Sequence, residues 1–271
     1  NGNTFAPENK HQSPWSILEK NLEDKNNIGS WRAFQMAFFL MSIKGTTEDT
    51  SNEREIVDLV WFPTGGGKTE AYLVLMSFYM FYERFMIKKA ESPRRDGTNI
   101  LMRYTLRMLT TQQFERAANL ICAMEFLRRN PASLGEINGK RFSLGLWIGG
   151  TATPNKIKNA LSEVEKFRVG ELKGNPLVLT DCPWCRAEIG KFKKGSKTHL
   201  RGIINDSIEG PLLVCPDAFC EFGREDLNLS IPVEVIDENT AKELIKRAGE
   251  YLEKEKEDIG KKLKDLGVDD N

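Results

Sequence analysis

"DLVWFPTGGGKTEAYLVL", residues 58–75, runs an apolar stretch into three glycines, a lysine and a threonine, and then resumes with a second apolar stretch. The upstream side, "EIVDLVWF" (55–62), is a short β-branched run and reads as a strand. Downstream, "TEAYLVLMSFYMFYERFMIKK" (69–89) is too long for a strand, has no breaker, and reads as a helix apolar almost all round, hence covered on most sides. Backbone N–H groups converge on an anion only where no Cβ intervenes and positive φ is cheap, so Gly65, Gly66 and Gly67 suit a phosphate cradle. A helix N-terminus near Lys68 adds unpaired N–H groups and a positive dipole end. Lys68 then reaches the β- and γ-phosphates of a nucleotide such as ATP, and the Thr69 hydroxyl holds Mg²⁺. Phe62 stands where the pattern G-x-x-x-x-G-K-[ST] has its first glycine. The plain alternative is a glycine-rich turn that binds nothing.

Working outward, "ESPRRDGT" (91–98) is a turn, "NILMRYT" (99–105) a strand, and "TTQQFERAANLICAMEFLRRN" (110–130) a helix with Phe114, Ala117, Ala118 and Ile121 on one face. "RFSLGLWIGG" (141–150) reads as a third strand. Strands alternating with helices predict an α/β parallel sheet flanked by helices, whose right-handed crossovers bring the functional loops to one edge. Before the loop, "SWRAFQMAFFLMSIK" (30–44) reads as a buried helix through Trp31, Phe34, Ala37, Phe38 and Met41, and "SPWSILEKNLE" (13–23) as a helix capped by Ser13. Beyond about residue 175 short polar segments surround the cysteines, and "NTAKELIKRAGEYLEKEKEDIGKKLKDLG" (239–267) reads as a solvated helix with a narrow apolar stripe.

Across 271 residues Lys+Arg and Asp+Glu balance at 39 each, so any polyanion must be met by a local patch. The N-terminus has no basic segment followed by an apolar one. The longest apolar run, Ala71 to Tyr82, falls short of the roughly 20 residues that span a bilayer. The expectation is a cytoplasmic protein without a membrane partner.

"CPWC" (182–185) and "CPDAFC" (215–220) are two close cysteine pairs. In a reducing compartment paired cysteines suggest metal before disulfide. Cys182, Cys185, Cys215 and Cys220 therefore read as a structural Zn²⁺ site with no open position, a redox dithiol being the alternative. His199 reads as a surface residue, and Cys122 stands alone in a helical pattern.

"PTGGGKTEAYL" (63–73) and "MRYTLRMLTTQQFERAANLI" (102–121) resemble motifs I and Ia of superfamily 2 helicases, in the form carried by the helicase-like component of the DISARM anti-phage defence system. The resemblance spans about residues 30 to 240 and implies a RecA-like P-loop lobe that binds ATP with Mg²⁺, with Thr64 and Glu70 added to the nucleotide set of Gly65, Gly66, Gly67, Lys68 and Thr69. It makes Gln35 in "WRAFQ" the candidate reader of adenine, against the alternative of a glutamine at the polar edge of a helix. Arg103, Thr105, Arg107 and Gln112 fall in motif Ia, and Gly149, Gly150, Thr151 and Thr153 in the place of the GG and Ib motifs; the resemblance implies sugar-phosphate contacts to DNA, ordinary loop polarity being the alternative. It also implies that the cysteines form a zinc-ribbon-like insertion within the first motor lobe.

The resulting division is a loose helical segment over 1–30, a first RecA-like lobe over 31–175, a zinc-binding insertion over 176–235 and a charged helical tail over 236–271. Such an ATPase needs a carboxylate pair on an apolar strand. "VEVIDEN" (233–239) offers Asp237 and Glu238 but lacks the residues that usually follow; the expectation is that the chain ends before that motif, before the second RecA-like lobe and its arginine finger. The leading reading is an ATP-dependent DNA translocase lobe, weak in hydrolysis by itself, that works with its second lobe and a defence-system partner. A nucleotide-gated zinc scaffold is the alternative. A small-molecule kinase comes third, since no segment supplies a lid or an acceptor-binding acid.

Overall fold

The computed structural model describes residues 30–48, 50–58, 60–61, 66–86, 98–103, 107–130, 137, 139–146, 154, 156–206, 210–223 and 230–234. In chain order its elements are α1 (Ala33–Thr47), a 3₁₀ turn (Asn52–Glu55), α2 (Lys68–Met86), α3 (Arg107–Arg129), β1 (Leu144–Gly145), α4 (Ile157–Val169), β2 (Gly190–Lys194), β3 (Lys197–Arg201), β4 (Ile203–Asp206), β5 (Gly210–Leu213) and β6 (Val233–Glu234). The fold is mixed α/β: β1 and β6 form a small parallel sheet, while β2 with β3 and β4 with β5 form antiparallel hairpins.

The three long helices pack in sequence, α1 on α2 and α2 on α3. Edge-to-face rings join the first two, Phe38 with Tyr72 at 5.8 Å and Phe39 with Phe78 at 5.2 Å, and the Tyr82 hydroxyl donates to the Thr47 carbonyl at 3.2 Å. Most side chains of α2 are at least half-buried, as its all-round apolarity predicts. On α3 the anticipated face, Phe114, Ala117, Ala118 and Ile121, is buried.

Helix α1 corrects its sequence reading. Its buried residues are Gln35 and Ser42, whereas Trp31, just ahead of it, and Met41 are 51% and 71% exposed. The helix lies along α2 and touches the 3₁₀ turn, while Met36, Leu40 and Met41 stay exposed. An apolar repeat marks what a helix can bury, and only a neighbour decides which side is buried.

Two expected strands also differ. In the 55–62 run Ile56 is extended, but no described strand pairs with it, and Ile56, Val57 and Trp61 are exposed. A β-branched run becomes a strand only when a partner takes its N–H and C=O groups. Residues 98–103 likewise pair with no described strand, yet the two-residue alternation survives: Ile100 and Met102 pack toward Met76, Ile121, Met124 and Phe142 while Leu101 and Arg103 are exposed. The third run contributes the two-residue β1, whose parallel partner, Leu144 opposite Val233 and Gly145 opposite Glu234, comes from the "VEVIDEN" run.

Helix α4 was not anticipated; it buries Ala160, Val164 and Phe167 and stops at Gly170, whose φ of 92° closes the last turn. The region after residue 175, read as polar, instead holds much of the core. Leu177, Leu179, Trp184, Ile189, Leu213, Phe222 and Ile231 join Phe114, Ala118, Cys122 and Phe126 of α3 in one cluster. The helices at 13–23 and 239–267 lie outside the described residues.

Candidate functional site

Helix α2 begins at Lys68, directly after the glycines. Gly67 has φ of 89°, a conformation that costs a side-chain-bearing residue strain, and a Cβ placed there would stand 2.7 Å from Gln35 Nε2. That closeness reflects a bond: Gln35 Nε2 donates to the Gly67 carbonyl at 2.8 Å, and Arg32 Nη1 donates to the Gly66 carbonyl at 2.7 Å. Gln35 Oε1 meanwhile accepts from the Arg32 backbone N–H at 2.8 Å, closing the first turn of α1. The start of α1 thus grips the end of the glycine loop from a separate element. Among the described residues these bonds use one N–H and one acceptor position of the Gln35 amide.

Lys68 and Thr69 are half-buried on the first turn of α2, where unpaired helical N–H groups concentrate. Glu70 forms an ion pair with Arg116 of α3, tying the loop's helix to the next one. Thr64, Gly65 and Phe62 lie outside the described residues, as do Thr105, Gly149, Gly150, Thr151, Thr153, Asp237 and Glu238. Of the motif Ia set, Arg103 and Gln112 are exposed on either side of the start of α3, and Arg107 is its first residue. Arg32 and Arg116 are functional candidates that the sequence reading passed over. "WRAFQ" held the first signal, since Arg32 falls three residues before the glutamine at a helix start.

The four paired cysteines converge. Their sulfurs all lie within 4.8 Å of one another, with Cys185 and Cys215 at 3.3 Å and Cys182 and Cys220 at 3.9 Å. Sulfurs on a tetrahedral zinc, each about 2.3 Å from the ion, stand about 3.8 Å apart, so shifts of a few tenths of an ångström would let this cluster bind zinc. Local hydrogen bonds fix both turns. Cys182 N–H donates to the Ala187 carbonyl and Arg186 N–H back to Cys182, with Arg186 in the left-handed region, while Asp217 N–H donates to Cys215 Sγ at 3.4 Å. Hydrogen bonds from Cys182, Cys215 and Cys220 hold the Cys185 thiol far below its usual range, and the same bonds to Cys182 and Cys185 push Cys215 and Cys220 up. The fifth cysteine, Cys122, is pushed up by burial in α3 and stands apart from the cluster. His199 is exposed and belongs to β3, in line with its reading as a surface residue.

The cluster is joined to α3. Trp184, between the first two cysteines, stacks on Phe126 at 5.0 Å and meets Phe222 edge-on at 5.6 Å. Arg129 lies over Phe222 at 4.5 Å and donates to the Glu221 carbonyl at 3.3 Å.

No family model matches the chain. It is 36% identical over 238 residues to the DISARM protein DrmA of Bacillus paralicheniformis (strain ATCC 9945a / NCIMB 11709 / CD-2), an alignment that takes in 84% of this chain. The chain spans only 19% of that protein's length. None of the described helices is long and apolar enough to cross a membrane. The likeness to a DISARM component extends over most of the sequence, and the chain is a relative of DISARM protein DrmA.

Proposed function

We propose that this chain is the ATP-binding lobe of a superfamily 2 DNA translocase acting in cytoplasmic anti-phage defence. The observation that carries the reading is the grip of Arg32 and Gln35 on Gly66 and Gly67 at the mouth of α2, in a relative of a DISARM protein. In a RecA-like lobe, Thr64, Gly65, Gly66 and Gly67 would curve around the phosphates, with Lys68 supplying positive charge and Thr69 a hydroxyl toward Mg²⁺. Gln35 would use its remaining amide valences on the adenine edge. Arg103, Thr105, Arg107, Gln112, Gly150, Thr151 and Thr153 would line the strand's backbone, and Cys182, Cys185, Cys215 and Cys220 would hold structural Zn²⁺. When bound, ATP supplies the phosphoanhydride whose cleavage powers stepping; this chain's residues bind and orient it.

The parallel pairing of Val233–Glu234 with β1 supports Asp237 and Glu238 as the carboxylate pair more than the sequence alone did. The second RecA-like lobe and a defence-system partner complete the proposed motor. A nucleotide-gated zinc scaffold is the second reading, favoured by the Glu70–Arg116 link from the loop to α3, the helix that also stacks on Trp184.

The deciding experiment titrates a fluorescent ATP analogue and measures DNA-stimulated ATP turnover in the parent, Lys68→Ala and Asp237→Asn proteins. Lys68→Ala should weaken nucleotide binding at least tenfold. Asp237→Asn should abolish whatever turnover the chain has, and equal turnover in parent and variant would return that role to another part of the protein. Parental nucleotide affinity in Lys68→Ala would remove the motor reading altogether.

A further inference from the structure

The chain's charge is balanced overall, yet residues 191–201 carry Lys191, Lys193, Lys194, Lys197 and Arg201 with no acid between them. These residues form the hairpin of β2 and β3, and the strand register decides where each points. Phe192 lies opposite His199, Lys194 opposite Lys197 and Gly190 opposite Arg201, so these pairs share one face. The other pairs, Lys191 with Leu200 and Lys193 with Thr198, share the second face. That second face turns inward at its base: Lys191 sits over the Phe167 ring of α4 at 4.3 Å and donates to the Leu172 carbonyl at 3.2 Å, and Leu200 packs on the core.

The outward face is a row of planar groups ending in two cations. The Phe192 and His199 rings are 5.5 Å apart at 31°, and the Arg201 guanidinium stands 5.5 Å from the Phe192 ring centre while pairing with Glu188. Lys194 and Lys197 face each other across the last pair before the turn, and among the described residues no carboxylate pairs with either. Like charges directly opposed weaken a hairpin. Lysines also keep edge strands from recruiting other chains. That role does not account for the pairing of the Phe192 and His199 rings on the same face.

We propose that the β2–β3 hairpin is a binding site for single-stranded nucleic acid, in which Lys194 and Lys197 straddle the phosphate backbone and unpaired bases stack on His199 and Phe192. A polyanion relieves the repulsion at the tip. An exposed His199 ring backed by a half-buried Phe192, beside cations, suits bases freed from pairing, whereas an acidic peptide would have no use for the rings. The site goes beyond the glycine-loop reading and does not depend on nucleotide.

The test is fluorescence anisotropy of a labelled oligothymidylate with the zinc-loaded full chain, without nucleotide, across about 50–200 mM salt. Lys194→Ala/Lys197→Ala should weaken binding at least tenfold. It should also flatten the dependence of log affinity on log salt by about 1.4, from two lost contacts of about 0.7 each. Phe192→Ala should weaken it at least fivefold, with Phe192→Trp restoring affinity. Lys194→Arg/Lys197→Arg, which keeps charge and hairpin, should bind as the parent does. Parental affinity and salt slope in the alanine pair would overturn the site, as would tighter binding of polyglutamate or phosphatidylserine vesicles than of the oligonucleotide. A silent alanine pair beside a damaged Lys68→Ala would sink this proposal alone, and the reverse result would sink only the motor reading.

Discussion

Gly67 and Glu125 show how much a single position can hold. Gly67→Ala would combine a left-handed φ with a methyl group 2.7 Å from the amide that grips the loop. Backbone strain of this kind costs about 1–3 kcal/mol. The expected outcome is a lower melting temperature together with at least tenfold weaker binding of an ATP analogue; a variant that melts lower yet keeps its affinity would separate the glycine from the phosphate cradle. Glu125, fully buried on α3, accepts from Arg128 at 2.6 and 2.8 Å and from the Phe142 N–H at 3.0 Å. Its hydrogen bonds raise the Arg128 pKa further, so the guanidinium stays charged at any working pH. Glu125→Ala would leave that cation and a buried N–H without their acceptor, at a cost of about 3–5 kcal/mol. Urea unfolding measures it, and a loss under 1 kcal/mol would mean that water replaces the carboxylate. At this scale the sequence named Lys68, Thr69 and the cysteines because their chemistry is local. Arg32 and Arg116 stayed hidden because their roles come from partners distant in the chain, and Glu125 because, besides its helix neighbour Arg128, it caps the Phe142 N–H seventeen residues on.

At the scale of elements, helix periodicity found α3 and its buried face, since Phe114, Ala117, Ala118 and Ile121 meet neighbours on that side only. The same method misplaced the buried face of α1. That helix is apolar on more than one side, so the pattern could not say which side α2 would take, and polar Gln35 is buried because it reaches the glycine loop. Strand readings lost most, because the described residues of 55–62 and 99–105 find no ladder partner among the described residues, and a ladder is what defines a strand. The exposed face of α1 makes a prediction at this scale. Leu40→Lys and Met41→Lys, at sites 61% and 71% exposed, should each change stability by less than about 0.5 kcal/mol while lowering binding of an apolar-surface dye. Cooperative destabilisation of 2 kcal/mol or more, about the cost of losing a buried side chain, would instead mean that this face is packed in solution.

Across the whole molecule, the cysteine cluster and the helical half are one packed body. The cluster of buried side chains that holds Cys182 and Cys215 also holds Phe114, Ala118, Cys122 and Phe126 of α3, and β6 returns from beyond the second cysteine pair to lie beside β1. A detachable zinc knuckle would lose only its own turns when stripped of metal. Here the Trp184–Phe126 stack and the Arg129–Phe222 contact would carry the disturbance into α3 and on to the Glu70–Arg116 pair at the glycine loop. The chain should therefore bind one zinc per molecule. Chelation should lower the melting temperature of the entire chain in a single transition, shift tryptophan emission and weaken binding of an ATP analogue. Because thiolates bind metal and thiols do not, zinc's contribution is full above the unfolded thiol pKa of about 8.5 and is lost as pH falls and protons displace the ion. Melting curves recorded with and without chelator should accordingly converge in acid. If chelation leaves nucleotide affinity untouched, or if the two sets of curves stay equally far apart at every pH, the metal is not coupled through α3 and the two halves stand independently.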